Sequence, residues 1–482
     1  MTPTATATDQ FVPDPGRWRT LAVLAVVLFM SLIDVSIVNV ALPSIQVGLG
    51  ASDSQLQWVL SGYALTFGVG LVTAGRAGDI YGRAPLFIAG VALFTITSAA
   101  AGLAQDAVFL NVARVFQGIA SGLISPQVVG MVQQYFRGAE RARAFAIFGA
   151  AVGASVAVGP LLGGLLIQAG GVEHGWRWTF FVNLPVGTAA IALAFLWFPR
   201  PLLNRNLPAH LQIQDRDLDP LGAVLLGLAV FALLLPFVEG RGSAWLWLSV
   251  PAGLALIGVW LWWEDRQKRS GRHPMVDLAI FKVRSFANGA LLISVYFAGI
   301  TSIWVIVALY LQDGLGRSAL ETGLMGLPSA IASGLAALAA GRGVVRYGRR
   351  VVIGGIYSAL FGLITSIIVV WLRAHGLASE WWLLLTLMFL GIGQGTVISP
   401  NQTLTLADVP LEYAGSSGGI MQTGQRIGTS VGIAVITALA FAVRALSDWS
   451  TAFMAGFAGI IVVVTGALFL AYADLRYRER NS

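Results

Sequence analysis

The chain contains no cysteine. Disulfide bonds, thiolate metal sites and cysteine nucleophiles are therefore all excluded. Histidine is nearly as scarce, and His174, His210, His273 and His375 all lie outside the long apolar segments. A metal or proton site built from buried imidazole groups is not expected. We accordingly predict that the protein binds no metal.

Lysine occurs only twice, as Lys268 and Lys282, and neither residue follows a glycine-rich phosphate-binding loop. The sequence thus lacks a motif for nucleotide hydrolysis, and we expect no bound cofactor. The net charge of +7 does not indicate nucleic-acid binding, because basic loops that face the cytoplasm give membrane proteins the same excess. We expect no nucleic-acid partner.

Charge of either sign is rare, since only 11% of the residues are charged whereas 56% are hydrophobic and the mean hydropathy is +0.77. The surface of a soluble globular protein with this composition would be too apolar to stay dispersed. Most apolar segments have about 20 residues or more, enough for a helix to cross ~30 Å of hydrocarbon. The composition therefore predicts an all-α, multi-pass protein of the cell membrane. The polar first 18 residues lack a secretory signal and are predicted to be a cytoplasmic tail.

The apolar segments predict fourteen transmembrane helices. An even number places both termini on one side of the membrane, and the positive-inside rule tests this count. If that side is the cytoplasm, 23 of the 30 Arg and Lys residues fall in cytoplasmic segments and five in external loops, with Arg114 and Arg426 inside spans. The predicted spans lie near residues 20–43, 56–75, 85–104, 107–131, 142–169, 178–198, 219–238, 244–263, 285–311, 320–341, 350–372, 381–400, 414–441 and 450–473.

Two pairs of similar segments reveal an internal repeat. GRAGDIYGR at 75–83 recurs as GRGVVRYGR at 341–349, and LISPQ at 123–127 is echoed by VISPN at 397–401. Two homologous six-span halves are predicted, which is the build of transporters that rock one half against the other. Spans 7 and 8 belong to neither half and are predicted to form an inserted hairpin. The predicted division is a cytoplasmic tail (1–18), an N-terminal six-helix bundle (19–200), loops with the inserted hairpin (201–284), a C-terminal six-helix bundle (285–473) and a second cytoplasmic tail (474–482).

Six motifs, in order along the chain, resemble those of the major facilitator superfamily and of its fourteen-span drug:proton antiporter branch. The resemblance covers nearly the whole chain and implies proton-driven efflux of hydrophobic or cationic small molecules by alternating access. The motifs are LIDVSIVNVALPSI (32–45), QWVLSGYAL (57–65), GRAGDIYGRAP (75–85), ARVFQG (113–118), VGPLLGG (158–164) and WRWTFFVNLPVG (176–187).

The alternatives are an exporter dedicated to one endogenous metabolite or antibiotic, and a membrane enzyme that acts on lipid intermediates. An enzyme would need converging acids, histidines or a metal site beside the spans, and the sequence offers few such groups. We therefore expect a transporter without enzymatic activity, which works as a monomer. Its expected partners are a small-molecule substrate, protons and the lipid bilayer.

Asp34 is the only carboxylate predicted to lie well inside a span. Helix rise places it and Arg114 at similar depth, in the outer half of the membrane. Each charge alone costs about 2.5–3.5 kcal/mol in hydrocarbon, so we expect the two to face one another or a watery cavity. Asp34 is predicted to take and release the coupling proton under the influence of Arg114. A permanent structural ion pair is the alternative. Gln117, one turn from Arg114, is predicted to line the same cavity or to bond between helices.

The loop motif predicts a conformational gate. Gly75 and Gly82 allow a tight turn and close helix approach, and Asp79 suits the positive N-terminal end of another helix. We expect Asp79 to latch onto the start of span 13, near residues 415–419, rather than to be a solvated charge. Arg83 is a further gate candidate, with a basic loop residue that only follows the positive-inside rule as the alternative. The second copy of the motif has Val345 in place of the acid, so this chemistry is concentrated in the first half.

The resemblance also implies that Gly159 and Pro160 of span 5 shape a seam between the two halves. Close helix packing is the simpler interpretation of these residues.

Further candidates for the substrate cavity come from spans 2, 9 and 13. Tyr63 and Trp304 are predicted to stack on flat or cationic substrates. Arg426, about 18 Å into span 13, shares a helical face with Gln422. Both are predicted to face the cavity, with hydrogen bonding to a neighbouring backbone as the alternative for Arg426.

Overall fold

Long apolar stretches form long helices throughout the computed structural model, which describes residues 14–200, 218–239, 244–272 and 274–481. Within these residues, fourteen segments are helical, long and apolar enough to cross a membrane, which confirms the predicted count. Spans 6 and 9 are each divided into two consecutive helices. The helices are α1 (Arg17–Leu49), α2 (Asp53–Tyr81), α3 (Arg83–Gly102), α4 (Ala107–Tyr135), α5 (Gly138–His174), α6 (Trp176–Phe181), α7 (Asn183–Trp197), α8 (Pro220–Glu239), α9 (Ser249–Arg269), α10 (Arg284–Ile300), α11 (Ser302–Leu309), α12 (Ala319–Tyr347), α13 (Arg349–Ala374), α14 (Leu383–Thr405), α15 (Ala414–Leu446) and α16 (Trp449–Asn481).

The helices extend beyond the apolar segments that predicted them. Hydropathy marks only the part of a helix that lies in hydrocarbon, whereas backbone hydrogen bonding continues past it. The last helix shows the consequence, because α16 runs to Asn481 and includes most of the segment predicted as a tail at 474–482. The side of the molecule where α1 begins and α16 ends is called the termini side below, and the opposite side the far side.

Equivalent helices of the two halves make equivalent contacts, as the internal repeat predicted. Helix α1 packs on α5 as α10 packs on α15, and α2 packs on α4 as α12 packs on α14. The halves meet along two seams, one between α5 and α12 and the other between α2 and α15. Because α2 is equivalent to α12 and α5 to α15, exchanging the two halves turns one seam into the other. The repeat therefore produces an approximate two-fold arrangement.

Glycines allow the helix backbones to approach closely at both seams. A Cβ atom on Gly75 of α2 would lie 2.4 Å from the carbonyl oxygen of Gly415 in α15. In the other seam, a Cβ on Gly153 of α5 would lie 2.9 Å from the carbonyl oxygen of Ala330 in α12. Small residues favour helix association in membranes because dispersion contacts and lipid entropy, rather than the hydrophobic effect, hold the helices together.

The inserted hairpin covers one seam only. Helix α8 packs against both α2 and α15, whereas α9 packs mainly on α8. Leu234 of α8 lies against Gly68 of α2, and Met275, in the segment after the hairpin, receives a hydrogen bond from Thr73. The hairpin therefore supports the α2–α15 seam from outside the two bundles.

A buried ion cluster ties the C-terminal half together on the termini side. Arg349, the repeat equivalent of Arg83, donates from Nε to Asp474 Oδ2 at 2.7 Å and from Nη1 to Asn401. Asn288 of α10 also donates to Asp474. Arg349 and Asp474 are almost fully buried. Asp474 is thus a further buried carboxylate within the helices, besides Asp34, Asp79 and Glu264. It lies within a helix because α16 continues past its apolar part.

We expect Arg349→Met to destabilise the protein by about 3–5 kcal/mol, because it leaves the buried Asp474 charge without its main partner. The measurement is thermal or denaturant unfolding of the purified protein in detergent. Arg350→Met is the matched control, since the neighbouring arginine pairs with Glu479 on an exposed surface and such pairs contribute roughly 0–1 kcal/mol. Equal losses in the two variants would contradict the structural role of the Arg349 cluster.

Candidate functional site

Asp34 lies at the centre of a hydrogen-bond cluster inside the N-terminal half. The side chains of Asp34 and Arg114 are 0% and 1% exposed, and Arg114 Nη1 donates to Asp34 Oδ2 at 2.6 Å. The other carboxylate oxygen, Oδ1, accepts from Gln117 Nε2 at 3.0 Å and from Asn183 Nδ2 at 2.9 Å. The carboxylate thus receives three donors, from helices α4 and α7.

Arg114 is held from several directions. Its Nε donates to the carbonyl oxygen of Val59 at 3.0 Å, and its Nη1 also donates to Gln117 Oε1 at 2.8 Å. The guanidinium carbon lies 4.3 Å from the centre of the Tyr63 ring and 5.9 Å from that of Phe180. Aromatic faces stabilise a cation electrostatically. Arg114 therefore has a fixed position beside Asp34.

Tyr63 connects this cluster to the space between the two halves. Its ring contacts Arg114, and its hydroxyl lies 2.7 Å from Ser121 Oγ and 3.5 Å from Ser31 Oγ. Ser31 and Ser121 line a central cavity. The charge cluster and the cavity are therefore separated by a single layer of side chains.

The central cavity has a volume of about 270 Å³ and is bounded by helices of both halves. Its walls are largely apolar, with four phenylalanine rings, Phe67, Phe145, Phe148 and Phe297, interrupted by Ser, Thr and Gln side chains. Ligand sites in proteins have this character, predominantly apolar with a few placed polar groups. The polar lining residues are Ser31, Ser121, Ser125, Thr301, Ser399, Gln402, Gln422, Gln425, Arg426 and Thr429.

Asp79 joins the two halves on the termini side. Its carboxylate accepts from the backbone N–H groups of Gly415 and Ser416, both at 2.9 Å, at the first turn of α15. Arg83 donates to Asp79 at 2.8 Å and to the carbonyl oxygen of Leu411 at 3.0 Å. The unpaired N–H groups and the dipole of a helix N-terminus favour a carboxylate there. The contact expected between Asp79 and the start of span 13 is present.

Comparison with known proteins extends over nearly the whole chain. The model of the Major Facilitator Superfamily matches residues 24–216 and 218–433. The chain belongs to the major facilitator superfamily.

Relatives at 33% identity include the probable actinorhodin transporter of Streptomyces coelicolor (over 433 residues, 89% of this chain and 73% of that protein). The tetracenomycin C resistance and export protein of Streptomyces glaucescens matches over 438 residues, 88% of this chain and 76% of its own length. The multidrug resistance protein Stp of Mycobacterium tuberculosis matches over 427 residues, 86% and 74% respectively.

Solved structures with the same fold are more distant in sequence. The human organic anion transporter MFSD10 (TETRAN) superposes with a TM-score of 0.66 at 15% identity, covering 95% of this chain and 100% of that one. The proton:xylose symporter XylE, bound to 6-bromo-6-deoxy-D-glucose, gives a TM-score of 0.64 at 15% identity, covering 93% and 94%. These likenesses confirm the major facilitator fold, and the curated relatives confirm the resemblance to drug exporters.

The structure places the predicted cavity residues of this major facilitator protein in two groups. Gln422 and Arg426 line the central cavity. Asp34, Arg114 and Gln117 do not, because they bond to one another behind Tyr63. The prediction that they line the cavity directly is corrected for this conformation.

Tyr63 and Trp304 also fall outside the cavity lining. Tyr63 is buried between Arg114 and the serines that face the cavity. Trp304 of α11 packs instead against Gly326 of α12, with ring carbons 3.2 Å from the position of a Cβ on that glycine. Aromatic residues are common in these spans, so aromatic character alone did not distinguish packing from cavity lining.

The predicted gate residues occupy different interfaces. Gly75, Asp79 and Arg83 lie at the α2–α15 seam, and Gly82 forms the turn between α2 and α3 with a positive φ of 108°. Gly159 packs against Ser36 of α1, within the N-terminal half. Pro160 faces the other half, because it lines a small space next to Gly323 of α12. The implied seam role therefore applies to Pro160, whereas Gly159 packs inside one bundle.

Sequence reasoning missed Asn183 and Ser98. Asn183 donates to Asp34, and its amide nitrogen also lies 3.0 Å from Ser98 Oγ. Asn183 belongs to the WRWTFFVNLPVG motif, where a polar amide inside an apolar span signalled an interhelical partner. Ser98 offered no comparable signal, because serine is common in membrane helices and its hydroxyl can hydrogen-bond to a carbonyl oxygen of the same helix.

Asp79→Asn is expected to loosen the termini-side contact, because a charge-assisted bond to the α15 N-terminus becomes a neutral one. A loss of about 1.4 kcal/mol multiplies the open population by ten. The chain has no native cysteine. Labelling of a single Gln402→Cys reporter in the cavity therefore measures how accessible the cavity is to a water-soluble reagent. We expect labelling of this cysteine by a water-soluble maleimide to be roughly tenfold faster in the Asp79→Asn background.

Asp448→Asn is the matched control for the latch, because Asp448 also caps a helix, α16, but on the far side. Gln402→Cys should be labelled at the same rate in the Asp448→Asn background as in the protein that carries the reporter alone. A rate unchanged by Asp79→Asn would show that the Asp79 contact does not restrict access to the cavity.

Proposed function

We propose that the protein is a proton-coupled efflux transporter that exports hydrophobic small molecules by alternating access, in exchange for protons. The observation that carries the proposal is the position of the Asp34 cluster, one side-chain layer from a cavity shared by both halves. A proton site and a substrate site so close together can influence each other through the same few side chains. The names of the relatives, which include exporters of antibiotics and a multidrug resistance protein, support the same direction of transport.

Asp34 is the proposed proton carrier. Its carboxylate accepts hydrogen bonds from Arg114, Gln117 and Asn183, and we propose that it takes up a proton when helix movement withdraws these donors. Three helices supply the cluster, α1, α4 and α7, so a change in their packing during the transport cycle alters all these bonds together. Proton binding and helix rearrangement are therefore linked in both directions.

Alternating access is supported by the two seams and the latch. In this conformation Asp79 binds the start of α15, which holds the halves together on the termini side. We propose that this side faces the cytoplasm of the cell, with both termini there, as the distribution of basic residues predicts. Release of the Asp79 contact then opens the cavity to cytoplasmic substrate, and its formation directs the cavity outward. A monomer contains all the parts that this cycle requires.

An exporter dedicated to one compound is the second candidate. Two relatives are named for single antibiotics, actinorhodin and tetracenomycin C, and the cavity volume of about 270 Å³ lies near the lower end of ligand sites, ~300–1,000 Å³. A small, well-defined cavity favours a narrow substrate range. Catalysis on a lipid is less favoured, because the described residues that line the cavity include no carboxylate or imidazole.

We expect Asp34→Asn to abolish transport driven by a pH gradient, because the amide retains the size of the carboxylate but does not gain or lose a proton near neutral pH. The assay uses proteoliposomes with an imposed pH gradient and the best-transported member of a panel of anionic, neutral and cationic aromatic dyes. Gradient-driven accumulation should fall to the level of empty liposomes, whereas exchange of labelled for unlabelled dye without a gradient should persist.

Asp474→Asn is the matched control, since Asp474 is also a buried aspartate paired with an arginine. That variant should keep gradient-driven transport when assayed below its unfolding temperature. Gradient-driven accumulation by Asp34→Asn at the wild-type rate would refute the role of Asp34. Failure of the wild-type protein to move any dye of the panel would refute the function itself.

A further inference from the structure

The central cavity carries one charge, and it is positive. Among the described residues that line the cavity, Arg426 of α15 is the only charged one, and no Asp or Glu faces it. The nearest buried carboxylate of the N-terminal half, Asp34, is already bonded to Arg114. The cavity is therefore an apolar space with a guanidinium on its wall.

Arg426 differs from Arg114 and Arg349, the two fully buried arginines of the described helices. Arg114 is paired with Asp34, and Arg349 with Asp474. Within the part of the chain that the structure describes, the guanidinium of Arg426 forms no ion pair and no hydrogen bond, and its guanidinium carbon lies 4.0 Å from the centre of the Phe67 ring. A charge in a low-dielectric site is costly unless it is paired. A ligand with an acidic group would supply the missing partner.

The surroundings of Arg426 suit an acidic group on an aromatic or otherwise apolar body. Gln422 and Gln425 of the same helix line the cavity beside Arg426, and their amides can donate further hydrogen bonds. Phe145, Phe148 and Phe297 also line the cavity and provide apolar faces. A guanidinium binds a carboxylate or sulfonate through two parallel hydrogen bonds, which gives strength and orientation.

We propose that the transported substrate is an amphipathic organic anion, with its acidic oxygen group bound by Arg426 and its apolar body among the phenylalanines. This proposal rests on the efflux function proposed above and specifies its substrate class. The sequence indicated hydrophobic or cationic compounds, and the cavity favours the hydrophobic class with an added negative charge. A cation is disfavoured because it would approach a guanidinium with no carboxylate on the described cavity wall to offset the repulsion.

Three naphthalene compounds of matched size test the charge preference: 2-naphthoate, 2-naphthalenemethanol and 2-naphthylmethylammonium. Binding to the full-length protein in detergent is measured by calorimetry or by quenching of tryptophan fluorescence. We expect 2-naphthoate to bind at least roughly tenfold more tightly than the ammonium compound, because it gains a charge-assisted bond that the other lacks.

Arg426→Met should abolish this preference, and Arg426→Lys should keep its sign with reduced size, because lysine retains the charge but not the planar donor pair. Arg444→Met is the matched control, since Arg444 lies on the exposed far end of the same helix, where it bonds Ser447. It should bind all three compounds as the wild type does. Thermal unfolding monitors folding, and Arg426→Met should be at least as stable as the wild type because it removes an unpaired charge.

Tighter binding of the ammonium compound, a preference unchanged by Arg426→Met, or no measurable binding of any of the three would overturn the proposal. These binding measurements do not depend on transport. The binding assay can therefore contradict the proposed substrate class while the pH-gradient assay supports proton-coupled efflux, and the opposite combination is equally possible. The two failures are therefore distinguishable.

Transport under an imposed membrane potential gives an independent readout. For the same number of protons exchanged, export of an anion moves one more unit of positive charge inward than export of a neutral compound. A potential that is negative on the termini side should therefore accelerate export of 2-naphthoate more than export of 2-naphthalenemethanol. Equal acceleration of the two compounds would contradict transport of the charged form.

Discussion

The hydrocarbon core of a membrane offers no hydrogen-bonding partner, so every charge within it must be satisfied by the protein or by something the protein binds. This constraint organises the whole molecule. In the N-terminal half it brings together Asp34, Arg114, Gln117 and Asn183 from three helices. In the C-terminal half it joins Arg349 to Asp474. The central cavity is where the constraint is not met within the described chain, and this is also where a transporter must receive its cargo.

The two halves share the same arrangement of helices but differ in the polar side chains at equivalent positions. Asp79 of the first loop motif binds the start of α15, whereas the second motif has Val345 at the equivalent position and forms no such bond. Arg83 and Arg349 occupy equivalent positions, but Arg83 supports the latch across the halves and Arg349 turns to Asp474 inside its own half. An approximate two-fold arrangement of helices thus has a single asymmetric latch. The α2–α15 seam is the one that this latch closes and the one that the hairpin covers.

The Asp34 cluster, which is the proposed proton site, does not line the cavity in this conformation, and Tyr63 lies between the two. Its ring lies over Arg114, and its hydroxyl bonds Ser121 at the cavity wall. A substrate that displaces Ser121 or Ser31 changes the contacts of Tyr63, and through them the position of Arg114 relative to Asp34. The proposed coupling between substrate and proton would then require movement of only a few side chains, together with the helices that carry them.

The amino-acid sequence by itself determined the number of spans, the two-fold repeat, the similar depth of Asp34 and Arg114, and the partner of Asp79. Each depends on distance along a helix or on the order of spans, which hydropathy and helix rise report directly. The tertiary structure alone decided that Asn183 and Ser98 join the Asp34 cluster, that Asp474 pairs with Arg349, and that Trp304 packs away from the cavity while Arg426 faces it. The reason is that lipid and protein interior are both apolar, so the sequence of a membrane helix carries little information about which of its faces points inward. Only the packed bundle fixes that rotation, and with it the residues that meet the substrate.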